Sequence, residues 1–271
     1  MKGRVLIVAG SDSGGGAGIQ ADIKAVTMMG GYAATAIAAL TAQDTTAVHD
    51  VFPIAPDFVA RQMAVVLDDI GADAIKIGML ATVPIIEAVA GVIEDKAAQV
   101  PLVVDPVMVA TSGGRLLADD AIEALTDRLI ARATLVTPNI PEAEALTGLS
   151  IDGDEGMAQA GQKILDHGPK AVLVKGGHLG GDKLVDLLVT PDGVTRFEGK
   201  KLPSTNTHGT GCTLASAVAT GLAQGMTLVD AVARARTYVF EAIRLAPGFG
   251  RGHGPLNHVD PVLGSGVTKA L

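Results

Sequence analysis

Apolar residues in this chain come in short runs closed by glycine, with longer amphipathic stretches between them. Residues 5–9 (VLIVA) form an unbroken apolar run, the pattern of a buried strand. The segment Gly10-Ser11-Asp12-Ser13-Gly14-Gly15-Gly16-Ala17-Gly18 follows, and then a helical stretch over 19–26. The same reading predicts strands at 33–41, 74–80, 102–105, 134–137 and 171–175. Helices are predicted at 56–71, 84–93, 119–130, from about 138, from about 210 to 223 and from about 227 to 245. Residues 184–190 and 194–198 flank Pro191-Asp192-Gly193, a hairpin signal. From Pro247 onward glycine and proline predict irregular chain.

Strand–helix alternation over nearly the whole length implies an α/β fold, a mostly parallel sheet with helices on both faces. No Pro/Ser linker, charge run or internal repeat divides the chain, so a single domain over 1–271 is expected.

Composition sharpens this picture. Hydrophobic residues make up 48% of the chain and aromatics only 3%, so the core must be Ala, Val, Ile and Leu, which suits parallel strands covered by helices. A formal charge of −8 argues against nucleic acid or an anionic membrane as the main partner. One cysteine cannot form an intrachain disulfide, as fits a reducing compartment. The apolar run near Met1 is too short for a signal peptide and no run approaches a membrane span, so a cytoplasmic location is expected.

The stretch Thr207-His208-Gly209-Thr210-Gly211-Cys212-Thr213-Leu214 reads as a glycine loop feeding a helix N-terminus. Unpartnered N–H groups and the positive end of the helix dipole make such a place a seat for an anion, most often phosphate. A thiolate at Cys212 is favoured there for the same reason. The competing reading is a plain glycine loop over a small packed residue. The earlier cluster 10–18 fits neither common nucleotide loop: it lacks the Gly-Lys-Ser/Thr ending, and Ile19 stands where dinucleotide spacing needs glycine.

In open parallel sheets ligands bind beyond the carboxyl ends of the strands. Gln43, Asp105, Asn139, Glu142, Lys175 and the loop before Cys212 all fall there. Each has a plainer alternative: Asp105-Pro106 as a turn, Asn139 with Glu142 as a helix cap, Lys175 as a solvated cation. Together, carboxylates, a lysine and an anion cradle on one rim fit phosphoryl transfer. The six histidines show no zinc spacing, and His208 is read as shaping its loop.

The blocks 9–22 (AGSDSGGGAGIQAD), 40–43 (LTAQ), 76–80 (KIGML), 105–108 (DPVM), 137–144 (TPNIPEAE), 175–179 (KGGHL) and 206–214 (NTHGTGCTL) occur in this order. In them the chain resembles the hydroxymethylpyrimidine/phosphomethylpyrimidine kinases of thiamine biosynthesis, members of the ribokinase-like superfamily. The resemblance implies a three-layer α/β/α sandwich, a homodimer, and ATP-dependent phosphorylation of 4-amino-5-hydroxymethyl-2-methylpyrimidine to the mono- and then the diphosphate. It implies a pyrimidine seat at Gly10, Ala17, Gln43, Met79 and Val107, with Gln43 reading the ring's polar edge. It implies Asp105 and Glu142 for Mg²⁺, Asn139 and Lys175 for the ATP phosphates, and Gly209, Thr210, Gly211 and Cys212 as the anion hole.

Two readings of Cys212 stay open, a general base for the first transfer or a packed residue giving its backbone N–H; the second transfer needs no base. Asp44 stands where the family more often has Asn, and it accepts but does not donate hydrogen bonds. A lid is expected over 111–117. Vitamin B6 kinases are the nearest alternative, and a non-catalytic ligand-binding protein is the alternative of another class.

Overall fold

The computed structural model describes residues 1–108, 119–177, 180 and 183–264. The expected lid over 111–117 and the motif residues His178 and Leu179 lie outside these residues.

The N-terminal half supplies β1 (Arg4–Asp12), α1 (Gly18–Met28), β2 (Tyr32–Gln43), β3 (Val48–Pro53), α2 (Pro56–Asp69), β4 (Ala74–Ile77), α3 (Val83–Lys96) and β5 (Leu102–Val104). The rest supplies α4 (Asp119–Arg128), β6 (Leu135–Val136), α5 (Ile140–Thr147), α6 (Asp154–Leu165), β7 (Val172–Lys175), β8 (Lys183–Thr190), β9 (Gly193–Lys200), α7 (Thr210–Ala223), α8 (Leu228–Arg244) and α9 (Asp260–Gly264).

One sheet holds these strands in the order β3-β2-β1-β4-β5-β6-β7-β8-β9. The run from β2 to β7 is parallel, and antiparallel strands close both edges. Strand alternation divides the core: Leu6 and Val8 of β1 point to a cluster under α2–α6, whereas Val5, Ile7 and Ala9 point to one under α1, α7 and α8. Two helical layers therefore sandwich the sheet, as predicted.

Several bounds differ from the sequence reading. β1 continues through Gly10 and Ser11 to Asp12, because both edges of its end find partners: Ser11 and Asp12 pair with Leu40 and Thr41 of β2, and Ser11 bridges Gly18. β2 runs on to Gln43 because β3 pairs back on it, Leu40 against Phe52. β3 itself escaped detection, being an exposed edge strand with His49, Asp50 and Pro53. α6 escaped because Gly156 and Gly161 dilute its pattern; Gly161 lies where a Cβ would press on Val189. The hairpin falls as expected, with Pro191-Asp192 between β8 and β9.

A fully buried ion pair ties the sheet to the α1/α7 layer. Lys76 of β4 donates to both carboxylate oxygens of Asp22 at 2.9 Å, and the Ser216 hydroxyl donates to the same carboxylate at 2.6 Å. Desolvation disfavours the ammonium, but Asp22 outweighs it and raises the Lys76 pKa. Removing one partner strands the other charge. Asp22→Ala should lower unfolding free energy in urea by about 3–5 kcal/mol, most of it recovered in Asp22→Leu/Lys76→Met. A loss below about 1 kcal/mol for the single variant contradicts this account of the core.

Candidate active site

The parallel strands end along one rim, and a cleft of about 1020 Å³ opens above it. Every candidate residue named from the sequence lines that cleft: Gly10, Ala17, Gln43, Met79, Asp105, Val107, Asn139, Glu142, Lys175, Gly209, Thr210, Gly211 and Cys212. Asp105 follows β5, Asn139 follows β6 and Lys175 ends β7, so backbone pairing sets their spacing; Asn139 bridges Lys175 directly.

Asp105 and Lys175 form the charged centre. The Lys175 ammonium donates to Asp105 Oδ1 at 2.9 Å, and the Thr137 hydroxyl donates to the same oxygen at 2.8 Å. Desolvation would raise the Asp105 carboxyl, but Lys175, Lys76 and those hydrogen bonds outweigh it and hold it below the usual carboxylate range. Burial would lower Lys175, yet Asp105 and Glu142 keep it raised and charged.

α7 begins immediately opposite. Gly209 is its N-cap at φ 82°, a left-handed turn in which no side chain caps the helix among the described residues. A Cβ on Gly209 would collide with the Gly16 carbonyl, and one on Gly211 would lie 3.3 Å from both Asp105 Oδ2 and the Lys175 ammonium. The bare backbone at Gly211 thus looks straight onto the ion pair, and the first amides of α7 share the cleft with it.

The plainer reading of Asn139 and Glu142 is also true. They form a capping box on α5, Asn139 Oδ1 accepting from Glu142 N at 2.9 Å and Glu142 Oε2 accepting from Asn139 N at 2.8 Å. Burial pushes the Glu142 carboxyl up to about 7; Lys175 opposes this and Asp105 adds to it.

Elsewhere on the cleft Gly10 lets Met79 lie across β1, since a Cβ there would fall 2.6 Å from the Met79 methyl. Met79, Ala17 and Val107 make an apolar wall. Gln43 stands at its edge with Oε1 accepting from the Thr41 hydroxyl at 3.2 Å. Asp44 needs no donor: it accepts from Thr46 N at 2.7 Å, Thr46 Oγ1 at 2.6 Å, Ala47 N at 3.0 Å and faces His49 Nε2 at 3.0 Å, all within its own turn.

Of the two readings of Cys212, which is half-buried, its surroundings favour the neutral thiol. Burial pushes the thiol up to about 12, the Asp22 and Asp105 carboxylates adding to the effect, and the pull of Lys76 does not offset it. The helix terminus is present, but low dielectric and nearby carboxylates decide the outcome.

Other polar contacts of the site had little sequence signal. Asp186 accepts from Gly176 N at 2.9 Å and from Arg236 Nε at 2.7 Å, bracing the turn after Lys175. Asp12 gathers N–H groups of the first glycine loop and meets His208. Lys76 did carry a signal, since a lone lysine inside an apolar strand requires a buried partner.

An open sheet of this order, with a helix start lacking a side-chain cap set against a lysine–carboxylate pair at the strand ends, fits a ribokinase-like small-molecule kinase. The pattern of the family described as phosphomethylpyrimidine kinase matches residues 12–257. The hydroxymethylpyrimidine/phosphomethylpyrimidine kinase of Rhizobium meliloti is 45% identical over 93% of this chain and 96% of its own. The thiamine biosynthesis bifunctional protein ThiED of Geobacter sulfurreducens is 50% identical over 95% of this chain, which spans 52% of that relative. Among solved structures, phosphomethylpyrimidine kinase from Clostridium difficile superposes with a TM-score of 0.80 at 40% identity, covering 89% of this chain and 100% of that one. Pyridoxal kinase from Staphylococcus aureus in complex with AMP-PCP and pyridoxal gives 0.87 at 35% identity, covering 96% and 94%. The chain belongs to the phosphomethylpyrimidine kinase family.

The raised Glu142 carboxyl has a readable sign. The folded chain favours the neutral form, so this contribution to stability is complete below the ordinary carboxylate range and is lost as pH rises through about 7. In chelator-treated, nucleotide-free protein, Glu142→Gln should gain in thermal midpoint relative to the unmutated chain between about pH 5 and about pH 8. A difference that stays constant across that range contradicts the burial argument.

Proposed function

We propose that the rim holds the aminopyrimidine and ATP end to end and passes the γ-phosphoryl group between them under the amides of α7. The observation that carries this is the bare Gly211 backbone at an uncapped helix start, set against the Asp105–Lys175 pair. Gly10, Ala17, Met79 and Val107 seat the flat ring, and the Gln43 amide reads its polar edge, having both donor and acceptor to offer. Lys175 and Asn139 meet the phosphates, and the backbone of Gly209, Gly211 and Cys212 meets the charge that spreads over the equatorial oxygens, the Thr210 amide already donating to Thr207 O at 3.2 Å.

Asp105 and Glu142 are hard oxygen donors on the same cleft and interact electrostatically, a set that fits Mg²⁺ shared with substrate phosphates. Bound there, Mg²⁺ would neutralise phosphate charge. On arrival of nucleotide, Lys175 turns from Asp105 to the phosphates, which frees a carboxylate oxygen.

Cys212 acts as a neutral residue. A loose phosphoryl transition state asks little of the acceptor proton, so no strong base is required in the first transfer. In the second the acceptor is already an anion. Cys212→Ala should therefore lower kcat of both transfers by one common factor, about 10-fold or less. A loss of about 10²-fold or more confined to the first transfer would restore the general-base reading.

The chain acts as one catalytic unit. A homodimer finds support in exposed apolar residues: Phe52 (67% exposed) beside Leu40 on the β2–β3 edge, and Phe58 on α2. No helix of the described residues is long and apolar enough to cross a membrane, in keeping with work in the cytoplasm. Vitamin B6 kinase activity is the second reading, favoured by the likeness to pyridoxal kinase over 96% of this chain. Incubation with the aminopyrimidine or with pyridoxal, each with Mg·ATP, followed by mass detection, separates the two. The expected product is pyrimidine diphosphate by way of the monophosphate; pyridoxal phosphate without any pyrimidine product contradicts the first reading.

A further inference from the structure

Two glycine-rich loops meet beside the cleft, and one buried contact joins them. The first, residues 13–17, brings Ala17 to the acceptor seat; the second, residues 207–211, starts α7. Asp12, only 3% exposed, accepts from Gly14 N at 2.8 Å, Gly16 N at 2.9 Å and Ala17 N at 2.8 Å. One carboxylate therefore shapes the whole first loop. His208, 6% exposed, brings Nε2 to Asp12 Oδ2 at 2.8 Å. The carboxylate accepts, so Nε2 carries the proton and the tautomer is set.

Shape reinforces the hydrogen bond. The imidazole edge of His208 fills the place where a Cβ of Gly16 would stand, and the Gly16 carbonyl fills the place of a Cβ on Gly209. Neither loop shifts without the other. From outside, the C-terminal chain braces the second loop, Gly254 O accepting from His208 N at 3.1 Å.

We propose that the Asp12–His208 contact is a latch that sets the position of the acceptor hydroxyl relative to the phosphoryl group. His208 is then a positioning residue: through Asp12 it holds the acceptor loop in register with the anion hole. The inference rests on the assignment of these loops to acceptor and phosphoryl group. In-line transfer is sensitive to sub-ångström placement, so loosening the latch costs turnover more than binding.

The test compares His208→Leu, which removes the donor at similar bulk, with His208→Gln, whose amide nitrogen reaches the same carboxylate. His208→Leu should lower kcat of both transfers by about 10-fold or more with KM for ATP changed less than about threefold, and His208→Gln should recover most of kcat. A Leu variant with kcat near that of the unmutated enzyme overturns the latch, as does a loss that Gln fails to recover. Should His208→Leu not fold, Gly16→Ala serves instead: its methyl wedges the ring away from Asp12, and unchanged kcat there overturns the latch equally. Absence of pyrimidine phosphorylation in the unmutated enzyme, run alongside, would instead remove the underlying loop assignment.

Discussion

The left-handed turn at Gly209 is the constraint on which the rest of this site depends. It starts α7 without a side-chain cap among the described residues, so the helix's unpartnered amides are kept for a ligand. Any side chain at Gly209 would strike the Gly16 carbonyl, and any at Gly211 would crowd the Asp105–Lys175 pair. Close approach of three backbone segments is what brings amides, cation and carboxylate to one point. Glycine serves here by leaving room, as much as by its freedom of φ.

The second governing fact is that charge at this rim is buried and therefore already answered. Lys76 has Asp22, Lys175 has Asp105, Arg236 has Asp186 and Asp12 has His208. Burying ions without partners would cost several kcal/mol each, so the site is assembled as a set of pairs. Of these, the Lys175–Asp105 pair faces Gly211 of the helix start, where a Cβ would lie 3.3 Å from both partners. The others hold elements together: Lys76 joins β4 to α1, and Arg236 joins α8 to β8. The same burial keeps Cys212 a thiol, which moves the chemical weight from a nucleophile's base to the electrostatics around the phosphoryl group.

Much of this was legible in the chain. Apolar runs such as 5–9 and 171–175 lie in buried parallel strands, because a strand covered on both faces has no polar side to confuse its pattern. The candidate residues at the rim were found because parallel strands deliver their last residues to one edge. What escaped had a physical reason. β3 is exposed and half polar, and α6 carries two glycines, of which Gly161 leaves room for Val189. The Asp12–His208 contact joins residues 196 positions apart, a separation no local pattern encodes. The choice between the two readings of Cys212 was not legible, because the sequence displays the helix start but not the carboxylates around it.

The central claim is that main-chain amides at the start of α7, with Lys175, grip the phosphoryl group as it moves. The most direct test is a crystal structure with ADP, aluminium fluoride and the aminopyrimidine, which traps a mimic of the group in flight. The account places the fluorides within hydrogen-bonding distance of the amides of Gly211 and Cys212, with Lys175 turned away from Asp105. Fluorides bound elsewhere, with the Lys175–Asp105 pair intact and those amides facing water, would contradict it.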